Sequence, residues 1–143
     1  MSDIDPLISR ICDEYKRAVH EKDVEAFLGL HHPEARVFDT WGVWSYEGLK
    51  EPRKVIEDWL SSLGEERVAV TIDRLQVTVT RELAMLSARA VYVALSAPGV
   101  EVRSMQNRLT WVLKLEAGAW RIIHEHTSAP IGFSDLKGML QRD

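Results

Sequence analysis

The apolar positions of the chain keep mostly helical spacing up to Gly64 and alternate after it. Over residues 5–21, Leu7, Ile8, Ile11, Cys12, Tyr15, Ala18 and Val19 fall on one stripe, which predicts an amphipathic helix. Asp5 followed by Pro6 supplies an N-cap and a first-turn proline. A short second helix follows, with Asp23 as its cap, Val24, Phe27 and Leu28 as its apolar face, and a break at Pro33 in "HHPEA". Residues 35–41, "ARVFDTW", predict a short strand and "GVWSYEG" a loop. Helical spacing returns over 49–63 through Leu49, Val55, Ile56, Trp59, Leu60 and Leu63, and Gly64 ends it.

Beyond Gly64 the chain reads as strand. Residues 66–80 place Val68, Val70 and Ile72 on one side and then Leu75, Val77 and Val79; the slip at Asp73-Arg74 predicts a bulge. Residues 83–96, 100–116 and 119–129 predict three more strands, turned at "APG" and "EAG", and the tail "GFSDLKGML" predicts a short terminal helix. Helices gathered before an antiparallel meander define an α+β fold. To bury both apolar faces the sheet must curl around the first helix, which leaves a cone with an open mouth, the kind of hollow in which small ligands bind.

The length of 143 residues fits a single domain over 1–143. A hydrophobic share of 45% with 28% charged residues places the chain with folded globular proteins rather than disordered ones. A net charge of −4, with no run of Lys and Arg longer than two, argues against nucleic acid or an anionic membrane as the main partner. One cysteine, Cys12, excludes an intrachain disulfide and a Cys-rich zinc site, and its spacing puts it in the core. The opening "MSDIDPLISR" has neither a basic n-region nor an apolar h-region, and no apolar run is long enough to span a bilayer. A cytoplasmic location is the expectation.

"GAWRIIHEHTSAPI" resembles the closing strand of the SnoaL-like group in the nuclear transport factor 2-like superfamily. Tyr15, the run Asp23-Val24-Glu25-Ala26, "ARVFDTWG" and "YEG…VIEDWL" match its earlier stretches in order, so the resemblance covers residues 6 to 131. It implies a cystatin-like cone. The superfamily holds isomerases, cyclases, dehydratases and binding domains, among them the association domain of calcium/calmodulin-dependent kinases, whose closing strand has the same form. In the ketosteroid isomerase branch a tyrosine on the first helix polarises a substrate oxygen and an aspartate at the end of the first strand shuttles a proton. Tyr15 and Asp39 stand at those positions. The branch also has a second acid on the penultimate strand; Thr110 falls near that position, and residues 102–115 contain no Asp or Glu.

Successive strand residues point to opposite sides of a sheet. Mapped on the same resemblance, the last strand turns Arg121, Ile123, Glu125 and Thr127 into the cone, and Trp120, Ile122, His124, His126 and Ser128 away from it. Arg108, Thr110 and Val112 then also point inward. Leu109, Trp111, Leu113 and Leu115 point outward, forming an apolar back that predicts a homodimer through the sheet. A one-residue slip would instead put His124 and His126 in the pocket. Two histidines two apart supply only two metal ligands and His31-His32 point apart, so no metal site is expected.

The candidate site residues are therefore Asp39 and Tyr15 as catalytic groups, with Trp41, Arg108, Thr110, Glu125 and Thr127 as ligand-binding groups. Arg108 and Glu125 either neutralise one another or leave Arg108 to anchor an anionic ligand oxygen. Asp39 either bonds a loop amide or, with its pKa raised by an apolar pocket, acts as a base. Two functions follow. One is a pocket for a small hydrophobic molecule with cofactor-free isomerase, cyclase or dehydratase chemistry; the other is a non-catalytic ligand-binding or oligomerisation module.

Overall fold

The computed structural model describes residues 6–141. Pro6–Glu21 forms α1, which buries Ile8, Ile11, Cys12, Tyr15, Ala18 and Val19, the predicted stripe without Leu7. Burial raises the Cys12 thiol pKa to about 11, so it stays protonated in the core. The Asp5 cap lies outside the described residues. Val24–Gly29 forms α2, and Asp23 caps it by accepting the Ala26 N–H at 3.1 Å. His31–Phe38 forms β1, Tyr46–Glu47 β2 and Lys50–Ser62 α3. Arg67–Val79 (β3), Leu83–Leu95 (β4), Glu101–Glu116 (β5) and Ala119–Ser128 (β6) are the long strands. Among the described residues no helix is long and apolar enough to cross a membrane.

The six strands make one curved sheet in the order β2-β1-β6-β5-β4-β3, antiparallel throughout except where β1 runs parallel to β6. The helices pack on its concave side, α1 against β3, over Val68, Val70, Ile72, Leu86, Ala90, Leu109, Trp111, Leu113 and Ile122. At the expected slip, Arg74 takes a φ of 56° and the β3–β4 register shifts between Asp73 and Gln76. The sheet bends there, and Leu75 and Val77 return to the concave side.

The sequence reading misplaces two segments. The first strand begins at His31, not residue 35, because the Leu30 carbonyl and His31 already pair with Ile122; Pro33 is absorbed in the irregular register between His31 and Arg36. The tail is not helical. β6 ends at Ser128 opposite Arg108, which leaves residues 101–107 of β5 without a neighbour on that side. The tail turns back on itself through the Ile131–Gly138 bridge and fills the edge, Leu140 accepting the Gln106 N–H at 2.7 Å. Pairing an open edge outweighs the weak helix preference of a stretch holding Gly132 and Gly138.

Candidate functional site

Between the concave face of the sheet and the three helices lies a cavity of about 640 Å³. Its walls are largely apolar, from Phe27, Leu28, Ile56, Trp59 and Val68. The inward row of β4 is Ala84, Leu86, Ala88, Ala90, Tyr92 and Ala94, of which Tyr92 and Ala94 line the cavity. The polar groups are few: Tyr15 and Tyr92, Asp39, Asn107, His31 with Glu125, and Thr127, with Arg103 and Ser104 toward β5's free end.

Asp39 is the first residue after β1 and stands half-buried on the cavity wall. Its Oδ1 accepts the Thr127 hydroxyl at 3.0 Å, and Thr127 Oγ1 in turn accepts the Thr40 N–H and hydroxyl, each at 2.9 Å. Burial raises the Asp39 pKa above the ordinary 3.8; the Thr127 hydroxyl and the backbone N–H groups of Thr40 and Trp41 oppose that rise without cancelling it. Trp41 lines the mouth with 53% of its surface exposed, whereas Trp44 is 97% exposed and touches none of the cavity.

The Tyr15 hydroxyl meets the Tyr92 hydroxyl at 2.8 Å. The Tyr15 ring is packed by Phe27 and, edge-on, by Trp111 at 5.4 Å, which fixes where its oxygen points. Burial first, and then the nearby Tyr92 and Glu125, push the Tyr15 pKa well above its usual value, and burial does the same for Tyr92. Both phenols therefore remain donors.

Glu125 lies deeper. Its Oε1 accepts the Trp111 indole N–H at 2.9 Å and faces His31 Nε2 at 3.4 Å, while His31 Nδ1 faces the Phe27 carbonyl at 3.2 Å. Burial raises the Glu125 pKa, but His31 and the Trp111 hydrogen bond outweigh it and the net shift is downward. Both imidazole nitrogens of His31 thus face oxygen acceptors.

The sequence reading of β5 is reversed by the structure. Counting back from the two-residue turn without interruption opposes Thr110 to Glu125 and Arg108 to Thr127. In the structure Ile123 is an extra residue between the Leu113–Ile122 and Val112–His124 pairs, so Trp111 faces Glu125 and Leu109 faces Thr127. A one-residue slip moves every side chain to the other side. Arg108 is consequently exposed on the outer face, its Nε donating to Ser128 Oγ at 3.0 Å, and Thr110 lies beside Ser87 and His126 on that same face. Neither lines the cavity, and the partner of Glu125 is His31 rather than Arg108. Leu109, Trp111 and Leu113 are 1%, 0% and 0% exposed, so they are core and not an apolar back; Trp120 and Ile122 are core as well. His124 and His126 do face outward, stacked edge-on against Phe38, with His124 Nδ1 donating to the Arg36 carbonyl at 3.0 Å.

Tyr15, Asp39, Trp41, Glu125 and Thr127 are thus brought to one cavity. Sequence reasoning missed Tyr92 and Asn107 and did not pair His31 with Glu125. The alternation Leu86, Ala88, Ala90, Tyr92, Ala94 was the available signal that Tyr92 shares the inward row of β4.

A helix-filled, curved α+β sheet with a mostly apolar cavity and a few convergent polar groups is a cone of the kind in which small ligands usually sit. A SnoaL-like domain profile matches residues 8–132, and the chain belongs to that family. No curated protein matches its sequence. Similar solved folds include an NTF2-like protein of unknown function from Pseudomonas putida, at 18% identity and a TM-score of 0.82, covering 95% of this chain and 93% of that one. Aln2 from a Streptomyces species is similar at 11% identity and a TM-score of 0.76, covering 89% and 93%. The association domain of C. elegans CaMKII is similar at 20% identity and a TM-score of 0.69, covering 85% and 92%.

Proposed function

We propose that this domain binds a small, largely apolar organic molecule carrying oxygen and moves a proton on it without a cofactor, as an isomerase, cyclase or dehydratase does. The observation that carries this reading is that Asp39 and the Tyr15–Tyr92 hydroxyl pair open onto one apolar cavity. Asp39, its pKa raised by burial, takes a proton from a carbon next to a carbonyl. The hydroxyl pair donates to the oxygen on which negative charge then develops. The proton held on Asp39 returns to a different carbon of the same bound molecule, which completes an isomerisation and leaves the carboxylate as it began. Trp41 covers a flat ligand at the mouth.

The test is hydrogen–deuterium exchange of 2-tetralone at its acidic carbon, followed by proton NMR with catalytic amounts of protein. The wild type accelerates exchange, and Asp39→Asn lowers the acceleration by about 100-fold or more, as general bases typically contribute. A loss smaller than about tenfold removes Asp39 from the base role.

A second reading draws on the likeness to two kinase II association domains, from C. elegans and, as a putative one, from Xanthomonas campestris. There the chain assembles with copies of itself through the outer face of the sheet and the cavity holds a ligand without turning it over. Sedimentation of the full chain decides: a monomer at tens of micromolar ends this reading, and a homo-oligomer that exchanges no proton supports it.

A further inference from the structure

The outer face of the sheet carries a groove that the cavity chemistry does not use. It encloses about 590 Å³ over the bend in β3 and the middle of β4 and β5, with Pro130 and Met139 of the returning tail along one side. Arg74, Arg89 and Arg108 all line it, and no Asp or Glu does. In a chain whose net charge is −4, that concentration of positive charge is a local feature and not a reflection of composition.

The strand register sets these residues in place. One row across the sheet reads Asp73, Arg89, Arg108, Ser128 from β3 to β6. Arg89 and Arg108 are therefore direct neighbours of like charge, a pairing that costs stability unless something neutralises it. Asp73 neutralises Arg89, its Oδ1 accepting the Nε–H at 2.8 Å and its Oδ2 a second N–H of the guanidinium. Arg108 has no carboxylate. Its Nε donates to Ser128 Oγ at 3.0 Å, and its two terminal nitrogens have no acceptor among the described residues. Arg74, which enters the groove from the bulge where its φ is 56°, has no ion pair among them either. In the next row, one step of about 7 Å along the strands, Ser87 and Thr110 face each other. Neither hydroxyl is engaged by another described residue.

Unused donors from three strands thus line one groove. A planar carboxylate is satisfied by a single guanidinium fork, whereas a tetrahedral group offers oxygens to all of these donors. Water can serve the two hydroxyls but leaves both charges uncompensated. Two guanidinium groups without a carboxylate match the charge of about −2 on a phosphate monoester at neutral pH. We infer that this groove binds the phosphate group of a phosphorylated small molecule. Arg108, Arg74 and the Ser87 and Thr110 hydroxyls hold its oxygens, and the organic part lies against Pro130 and Met139. The site is on the opposite face of the sheet from Asp39 and Tyr15 and does not depend on the chemistry proposed for them.

Phenyl phosphate, inorganic phosphate and benzoate are titrated into the isotope-labelled full chain at about pH 7.5, where the ester is a dianion. The backbone amide signals of Ser87, Arg108, Thr110 and Met139 are followed by NMR. Phenyl phosphate should move them saturably with a Kd of about 1 mM or below, and inorganic phosphate and benzoate should each bind about tenfold more weakly. Arg108→Gln should weaken phenyl phosphate by about 10- to 100-fold, the worth of a hydrogen bond to a charged group. Lys114→Gln, which removes a cation further along the same strand and outside the groove, should change it by no more than about twofold. No saturable shift up to about 10 mM phenyl phosphate overturns the site. Equal losses in Arg108→Gln and Lys114→Gln overturn it as well, reducing it to a diffuse field. Benzoate binding as tightly as phenyl phosphate overturns the assignment to phosphate, and inorganic phosphate doing so overturns the place given to the organic part. The wild-type comparisons stand even if a variant fails to fold.

Discussion

Replacing Glu125 by Gln removes a charge from a place where nothing else can serve its neighbours. Oε1 takes the Trp111 N–H at 2.9 Å and faces His31 Nε2 at 3.4 Å, and the other imidazole nitrogen is committed to the Phe27 carbonyl. A glutamine keeps a neutral acceptor for Trp111, so that bond falls from charge-assisted to ordinary strength, a loss of about 1 kcal/mol. The His31 hydrogen loses its anion, and at the long end of bonding distance this costs about 1–2 kcal/mol more. The variant is therefore less stable by roughly 2–3 kcal/mol, a fall in Tm of about 4–12 °C for a chain of this size. Glu125→Leu strands both donors and costs about 3–5 kcal/mol. Because the Glu125 pKa is lowered on folding, the wild-type advantage is complete above the ordinary value of 4.5 and is lost as the pH falls through the lower folded value. The assay is thermal and urea unfolding followed by circular dichroism at pH 7, for Glu125→Gln, Trp111→Phe and the double variant. The cycle should show a coupling of about 1 kcal/mol. Additivity to within about 0.3–0.5 kcal/mol, or a Gln variant as stable as the wild type, would refute the inward placement of Glu125 against Trp111.

Three further outcomes follow from the same geometry. Asp39 has its pKa raised, so the folded state holds that proton more tightly than the unfolded chain and ionised Asp39 costs stability above the window that starts near 3.8. Asp39→Asn should accordingly melt higher than the wild type at pH 7, with the gap closing as the pH falls below that value; a lower Tm at neutral pH contradicts it. Thr127→Val deletes the hydroxyl that lowers the Asp39 pKa and gathers Thr40, so the pH profile of ketone exchange should move to higher pH while stability drops by about 1–3 kcal/mol; an unmoved profile separates Thr127 from the base. Arg108→Ala, on the outer face, should leave binding of aromatic probes within about twofold, an effect as small as surface changes usually give.

Much of the fold was legible because burial imposes a period. The α1 stripe, the Asp23 cap and the Asp73-Arg74 slip are local features, and each side chain in them is placed by its near neighbours in sequence. Asp39 and Tyr15 were readable through a resemblance whose motifs lie close to them. What failed is non-local. The side a β5 residue faces depends on one unpaired residue, Ile123, in the strand beside it, and the apolar run Leu109, Trp111, Leu113 reads the same whichever way it points. Tyr92 and Asn107 gain their meaning from each other across two strands, and His31 meets Glu125 from 94 residues away. The tail was misread because its partner is an edge that exists only once β6 has stopped short.

Ile123 makes the last strand tolerant of length change in one direction only. Deleting it would restore regular pairing and leave Glu125 and Thr127 on the wall of the cone. Inserting one codon between His124 and Glu125 would turn the carboxylate and the hydroxyl out to water and swing the His126 imidazole in to replace them. A lineage carrying this strand could thus exchange carboxylate chemistry for imidazole chemistry in a single step, with the scaffold around it unchanged.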